Sequence, residues 1–570
     1  MLIQAHTVER GARVEADICV VGTGPAGMTL LKELRGLGWR IVALESGAQT
    51  LDPDAQALCD GATISRDNYP SGALMTSRRR QLGGTANLWN DELDAGQGDE
   101  LVRLVELDAI DFENRAWIPY SGWPFGKSEL QRFYDRAQSI VDPAPPADRN
   151  TRPARHYPEL LPKEARLSTV LSRFAARTIF TRDYPETLTR DEAISVYLNA
   201  TLLELVMQDN AVSYARVAAT PDREFQVRAR FFVLAAGGIE NARILLLSNG
   251  AHRTGLGNQH DLVGRFFMDH PSFRLGVLTP SNRDLFRSAG LYDHHILNGQ
   301  CVMGKFTFRE ETMRREQMLN ICVTLTPRGR DYESSATKVL KQMIHSGSTT
   351  AAAILLRQEL GTLTSNWDEL LAKVYHKVAK TKLIYFENKG GWSRLPRPER
   401  RFRRFELCCL SEQAPNPENR VSLSDEFDRF GQRKAQLYWQ WSEVDLRSIR
   451  RAQDILKEEL KQQGLGDFVR QYELDESDRP PVATPHHHIG TTRMHTDTRQ
   501  GVVDPNCRVH GVSNLYVAGS SVFPTGGFAN PTLTIIALAL RLSYHLKEVM
   551  KPSSSSLATS AAAPSAPLGI

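Results

Sequence analysis

The chain has little that would tie it to a membrane, a metal or a polyanion. No apolar run approaches the roughly 20 residues of a bilayer span. The opening "MLIQAHTVERGARVEADICVVG" places charges where a secretory signal needs its apolar region. No transmembrane segment and no leader are therefore expected. Cysteine is scarce, at positions 19, 59, 301, 322, 408, 409 and 507. This is an odd set, without the short paired spacings of a zinc site or the density of a disulfide scaffold. Reduced thiols in a cytoplasmic setting are the expectation. Charge of one sign is also missing, since Lys plus Arg number 70 against 66 for Asp plus Glu. A balance so close gives no footing for nucleic acid. Basic residues cluster only locally, at Arg78–Arg80 and across 394–404.

What is present is enough chain, at 570 residues, for more than one core. Residues 17–47 read as strand, glycine turn, helix and strand: "DICVVG" is β-branched, "PAGMTLLKELRGLG" carries helical apolar spacing, and "RIVALESG" is a second short strand. Between 190 and 250 a mixed β pattern ends in "ARFFVLAAGGIENARILLLSNG". The middle, about 265–440, alternates strand-like runs such as "QMLNICVTLTP" with a Lys-bearing helical stretch from Thr337 to Lys382. After 480 the strand, glycine turn and helix pattern returns. From Ser553 the chain is Ser/Ala/Pro-rich and reads as a disordered tail.

"GTGPAG", Gly22 to Gly27, fits G-x-G-x-x-G directly after a strand and at the start of a helix. The first glycine permits the tight turn, the second admits a pyrophosphate close to the backbone, and the third lets helix pack on strand. The helix N-terminus adds N–H donors and positive potential. Glu45 ends the second strand, where a carboxylate can accept from ribose hydroxyls. In this register the motif points to an adenine dinucleotide, and its spacing leaves FAD and NAD both open.

Four later segments bear on that choice: "RQLGGTANLWN" (Arg80–Asn90), "FVLAAGGIENARILLLSNG" (Phe232–Gly250), "HHIGTTRM" (His487–Met494) and "VSNLYVAGSSVFPTGGFANPTLTIIALA" (Val512–Ala539). In this order, with Gly22–Gly27, they resemble the glucose/methanol/choline (GMC) family of flavin oxidoreductases. "DFENRAWIPYSGWPFGKSELQRFYDRAQ" (Asp111–Gln138) is similar to its sugar-oxidising branch, near pyranose oxidase and the gluconate and fructose dehydrogenases. The resemblance spans roughly 15–270 and 405–548; the middle has no counterpart.

The resemblance implies an α/β fold: a Rossmann-like FAD-binding domain assembled from discontinuous segments, and an α+β substrate domain with a roughly six-stranded sheet. The expected division is 1–264 for the FAD domain, with the first part of a cap near 100–190, and 265–480 for the substrate domain, with a helical insertion at 337–404. Residues 481–550 would return to the FAD domain with the catalytic groups.

Position by position, the resemblance implies that Gly22, Gly24 and Gly27 hold the FAD pyrophosphate and Glu45 the ribose. Arg80, Gly83, Gly84, Thr85 and Asn87 would lie along the phosphates and the ring edge, with Gly519 and Thr532 also at the cofactor. Relatives that link the flavin covalently carry histidine where this chain has Leu88, so a noncovalent FAD is expected.

Three of the chain's 15 histidines are consecutive, His486–His488. The family's catalytic base lies four residues before the Gly-Thr threonine, here Thr491, which singles out His487. The family's second catalytic position falls on Asn530. The chemistry agrees: imidazole titrates near neutral pH and can take a hydroxyl proton, whereas an amide can only hold the oxygen. His486 and His488 point to the other side of an extended segment. With His495 and His510 they make no recognised metal-ligand spacing, and no metal is expected. Glu412 and Gln413 are candidate pocket residues, and Arg420 a structural one.

The implied function is FAD-dependent oxidation of a CH–OH group of a sugar, glycoside or polyol, with oxygen or another electron acceptor taking the electrons. Two alternatives share the scaffold. One is a hydroxynitrile-lyase-like flavoprotein without redox turnover. The other is the flavin subunit of a multi-subunit dehydrogenase, with a small subunit or electron-acceptor protein docking on the basic middle.

Overall fold

The run Arg13–Val21 is buried on both faces over its last residues, Ile18, Cys19 and Val20 being fully enclosed, as a central parallel strand requires. It pairs in parallel with Ile41–Leu44 on one side and Arg223–Leu234 on the other. These strands belong to the N-terminal sheet of the computed structural model, which describes residues 1–67, 69–89, 101–141, 158–176, 178–188, 190–297, 300–329, 392–394, 397–474, 479–480 and 486–551. The strand order is Leu2–Gln4, Ile194–Leu198, Ile41–Leu44, Arg13–Val21, Arg223–Leu234, Ala211–Thr220, Thr201–Gln208. Leu515–Val517 adds in parallel to the end of Arg223–Leu234. The last part of the chain thus returns to the sheet its first part began.

Helix Pro25–Leu34 follows the first glycine turn, with proline in its first turn, where the missing N–H costs nothing. It packs against helix Thr532–Met550. The latter is apolar nearly all round through Leu542, and such a helix is stable only when enclosed. Helix Lys127–Val141 covers it further, with the Tyr134 and Thr534 hydroxyls 2.9 Å apart.

A second, wholly antiparallel sheet runs in the order Gly466–Arg470, Ser272–Pro280, Arg404–Ser411, Ile321–Arg328, Gln300–Phe308, Leu167–Ala176, Leu101–Leu104, with His295–Leu297 hairpinned onto Gln300–Phe308. It has eight strands rather than about six. Leu101–Leu104, His295–Leu297 and Gly466–Arg470 are each three to five residues long, too short to show a period-two pattern in the sequence. Helix Glu443–Gln462 packs on Gly466–Arg470 and Ser272–Pro280, its start fixed by a capping box between Ser442 and Asp445.

A small third sheet joins the segments expected to belong to different domains. Hairpin Arg420–Phe427/Arg433–Trp439 pairs in parallel with Gly61–Ser65 and packs on helix Gly237–Leu247. The expected helical stretch Thr337–Lys382 and the tail from Ser553 lie outside the described residues.

Candidate active site

The turns that leave the first sheet at the C-terminal ends of its strands line a cavity of about 710 Å³. In open parallel sheets this is the edge at which ligands sit. The glycines of the first turn do different work. A Cβ on Gly22, whose φ is +99°, would stand 2.6 Å from the Ala235 carbonyl oxygen, and one on Gly27 would stand 2.0 Å from the Gly22 oxygen. Both are glycines because the protein's own backbone is there. Gly24 is different. Its φ of −69° suits any residue, and the nearest atom to a Cβ would be the Gly84 Cα at 4.0 Å. Gly24 and Gly84 therefore face each other backbone to backbone across the cavity wall, leaving room beside Gly24 that no described side chain takes.

Glu45 is enclosed at the wall. It accepts from Thr23 Oγ1 (2.5 Å), Thr23 N (3.2 Å) and Gly47 N (2.9 Å). Burial pushes its pKa up, while these bonds and Arg80 act the other way. A carboxylate accepts about four hydrogen bonds, so one lone pair is left for a ligand hydroxyl.

Arg80 is buried rather than part of an exposed basic run, and it is anchored in an ion cluster. Glu240, in the first turn of helix Gly237–Leu247, takes Arg78 at 3.0 Å, Arg80 at 2.9 Å and Arg243 at 2.9 Å. Arg243 also pairs with Asp428 at 2.7 Å. Although burial opposes it, the three guanidinium groups hold the Glu240 carboxyl far below the usual carboxylate range. Three cations against two carboxylates leave one positive charge over, and Arg78 and Arg80 both reach the cavity wall.

Of the "GGTAN" residues, Gly84 and Thr85 line the cavity. Gly83 and Asn87 do not. Gly83 has φ +92° and lies against the Phe180 carbonyl, while the Asn87 amide donates to the carbonyls of Leu82 and Gly84 and so holds the loop itself. Gly519 and Thr532 are in the wall, as is Leu88. Glu412 and Gln413 are spent elsewhere. Glu412 forms a two-point ion pair with buried Arg115, and Gln413 Oε1 accepts from Asp269 N and Trp439 Nε1. Arg420 pairs with Asp261 at 3.1 Å, a structural contact.

The histidine segment is held by its backbone. Ile489 and Met268 exchange hydrogen bonds of 2.9 and 3.0 Å, Ser520 Oγ donates to the His488 carbonyl at 2.6 Å, and Thr491 Oγ1 donates to the Gly238 carbonyl. The His486 and His488 rings lie 6.5 Å apart, and, contrary to the expectation that the outer two face away from His487, all three histidines contribute to the wall, since the backbone at His486 (φ +63°) is not extended. His487 Nε2 is 3.2 Å from Asn530 Nδ2, which places the expected base and its amide partner together. Burial, reinforced by His270, His488, His486 and Arg103, pushes the His487 pKa well below 6.5, and burial pushes His488 down to about 4. Both rings are neutral at pH 7. Asn530 begins the approach to helix Thr532–Met550, whose first residues also line the cavity.

One residue at this site was not picked out by its motif. His270, 1% exposed, has its Nδ1 2.8 Å from His487 Nδ1. Beside it, Asp269 Oδ1 accepts from the backbone N–H of both His487 (2.9 Å) and His270 (2.7 Å), and Asp269 Oδ2 accepts from Tyr69 at 3.0 Å. "MDHP" carries no local signal for this role, because its partner is 217 positions away.

Residues 415–539 match the family model described as GMC oxidoreductase. The chain is 28% identical to the fructose dehydrogenase large subunit of Gluconobacter japonicus over 58% of its own length and 52% of that protein's. It is 36% identical to a C-glycoside 3-oxidase of Microbacterium trichothecenolyticum over 25% of this chain and 26% of the other. It is also 44% identical to a pyranose 2-oxidase of Tricholoma matsutake over 10% of each. The matched stretches thus span about half or less of these curated relatives. The chain carries the C-terminal domain of the GMC oxidoreductases, and the resemblance drawn from its motifs holds.

GMC oxidoreductases are FAD-binding flavoproteins, and the residues here fit that group. The space beside Gly24 suits a close backbone approach by a pyrophosphate, and the surplus arginine charge and the helix N-terminus at Thr532 suit anionic atoms.

Proposed function

We propose that this chain is an FAD-dependent oxidoreductase that oxidises a CH–OH group of a sugar, glycoside or polyol to the carbonyl. One observation carries the reading: a neutral imidazole and a carboxamide, His487 and Asn530, stand 3.2 Å apart in the wall of the cavity that the dinucleotide turn also lines. Bound FAD supplies the two-electron acceptor for the carbinol C–H bond. The protein's own part is proton handling and positioning. His487 Nε2 takes the hydroxyl proton, and the Asn530 amide holds the hydroxyl oxygen as it gains negative charge. Gly22, Gly24, Gly84 and the Arg78/Arg80 pair hold the pyrophosphate, Glu45 the ribose, and Thr85, Gly519 and Thr532 the remaining polar edge. Leucine at position 88 cannot bond to the cofactor, which supports a noncovalently held FAD.

The names of the relatives, all acting on sugars or glycosides, support the substrate class. Electrons leave to oxygen or to another acceptor. No described helix is long and apolar enough to cross a membrane. The six cysteines whose side chains are described are free thiols, which supports a reducing, cytoplasmic setting.

The test is anaerobic bleaching of the bound flavin by a panel of sugars, glycosides and polyols. His487→Ala is expected to slow bleaching by ~10²–10⁴-fold with FAD retained. Near-native bleaching in that variant refutes the assignment, and cyanohydrin cleavage with the flavin staying oxidised overturns the reaction class. A second reading has one observation behind it, since the fructose dehydrogenase relative is named as a large subunit. On that reading a partner subunit carries electrons away, and full turnover by the purified chain with an artificial acceptor argues against it.

A further inference from the structure

The hydrogen bonds around His487 have a direction, and it is set by groups that cannot donate. His270 Nε2 lies 2.8 Å from the Gly527 carbonyl oxygen and 3.4 Å from that of Gly526. Carbonyl oxygens only accept, so Nε2 of His270 carries a hydrogen. In the neutral ring its Nδ1 is then a bare lone pair. That lone pair faces His487 Nδ1 at 2.8 Å, a contact that needs one donor, and so His487 carries its hydrogen on Nδ1. His487 Nε2 is left unprotonated, with the Asn530 amide group donating toward it at 3.2 Å.

We infer that His270 is a positioning residue: it holds His487 in the Nδ1–H tautomer and bares Nε2 to the cavity as the base. The inference rests on the proposed oxidation for its purpose, though not for its geometry. Residues already noted as a motif complete the arrangement. A Cβ on Gly526 would lie 2.8 Å from Ile489 Cδ1 and 3.3 Å from His270 Nε2, and one on Gly527, at φ +51°, would strike the Asp111 carboxyl at 2.2 Å. The glycine pair in "PTGGFANP" is thus what lets two carbonyls reach the His270 ring. In the opposite tautomer of His487, two lone pairs would face each other at Nδ1.

The proton balance is simple. The substrate O–H bond breaks, its proton bonds to His487 Nε2, and the resulting imidazolium still donates its Nδ1–H to His270. The neutral His270 ring shares the charge without losing its own Nε2–H. Asp269 accepts from the two backbone N–H groups and makes no hydrogen bond to either ring.

The test uses FAD-loaded protein labelled with ¹⁵N-histidine, with the His487 signals assigned by their loss in His487→Gln. Native protein is expected to show a protonated Nδ1 and a bare Nε2 at His487 near pH 7, and a protonated Nε2 overturns the inference. In single-turnover bleaching by an active sugar, His270→Leu is expected to lose ~10²-fold or more with KM little changed, the scale seen when a base is held in the wrong tautomer. His270→Asn, whose amide oxygen can accept from Nδ1–H, is expected to stay within about tenfold of native. A His270→Leu rate equal to native, with FAD bound, also overturns the inference. If no sugar bleaches the native flavin, it is the proposed function that falls, while the ¹⁵N spectrum still decides the tautomer. Should His270→Leu not fold, the native spectrum decides alone.

Discussion

Replacing Gly24 with alanine separates cofactor binding from folding, because this glycine is required by nothing in the protein itself. Its backbone, φ −69° and ψ −173°, is ordinary extended geometry, and an added methyl meets no atom closer than 4.0 Å. The only folding cost is a weaker N-cap for helix Pro25–Leu34, under ~1 kcal/mol. The methyl instead fills the space in which a pyrophosphate would approach the helix N–H groups. Losing one or two charge-assisted hydrogen bonds there costs about 1.5–3 kcal/mol, or ~10- to 150-fold in FAD affinity. Gly27→Ala is the contrasting variant. Its methyl would lie 2.0 Å from the Gly22 carbonyl, so it loses apoprotein stability by ~1–3 kcal/mol or more through overpacking. FAD titration of the apoprotein, followed by flavin fluorescence, and thermal melts of the same apo samples separate the two effects. Native FAD affinity in Gly24→Ala, or an apo Tm as low as that of Gly27→Ala, would refute the reasoning.

Two further predictions follow from buried charge. Glu240→Gln leaves Arg78, Arg80 and Arg243 facing one another without their shared carboxylate, at a cost of ~3–5 kcal/mol. Because the Glu240 pKa is depressed in the folded protein, its stabilisation is present above the ordinary value of about 4.3 and lost as pH falls below it. The gap in melting temperature between variant and native should therefore be full at pH 7 and narrow in acid, and an unchanged Tm at pH 7 contradicts the ion-cluster account. Lys305 gives the opposite sign. It is 1% exposed on the second sheet, and burial pushes its pKa down to about 8, with Arg103 adding to the shift and Cys322 opposing it. Below pH 8 the native fold must bury a charge that the unfolded chain leaves in water. From about 8 to 10.5 the unfolded chain still binds the proton that the folded one has lost, so stability rises with pH across that window. Lys305→Met should be more stable than native by ~3 kcal/mol at pH 7, with the advantage fading toward pH 10.5; an advantage independent of pH would sink the account.

How much of this was legible in the sequence depends on the range over which each feature is written. The turn Gly22–Gly27, its flanking strands and helix, and the start of helix Thr532–Met550 are each set within a dozen neighbouring residues, by β-branched runs, glycines with imposed conformations and a proline at a helix entry. His487 and Asn530 became candidates through the resemblance of "HHIGTTRM" and the last motif to the family, not through these patterns. The three shortest strands of the second sheet were not legible, because runs of three to five residues hold too few alternations. Neither was the division of labour within "GGTAN", where Gly84 and Thr85 reach the cavity while Asn87 turns back on its own loop.

The sequence by itself determined the cradle, because glycine conformation, helix entry and strand pattern act through adjacent residues, and its motifs, through the family they resemble, singled out His487 as the base candidate. Only the tertiary structure decided which groups surround them. It buried Arg80 against Glu240, turned Glu412 to Arg115, and brought His270 from 217 residues away to His487. A hydrogen bond's direction depends on what lies within about 3 Å of each atom, and across two sheets that neighbourhood is set by packing rather than by order along the chain.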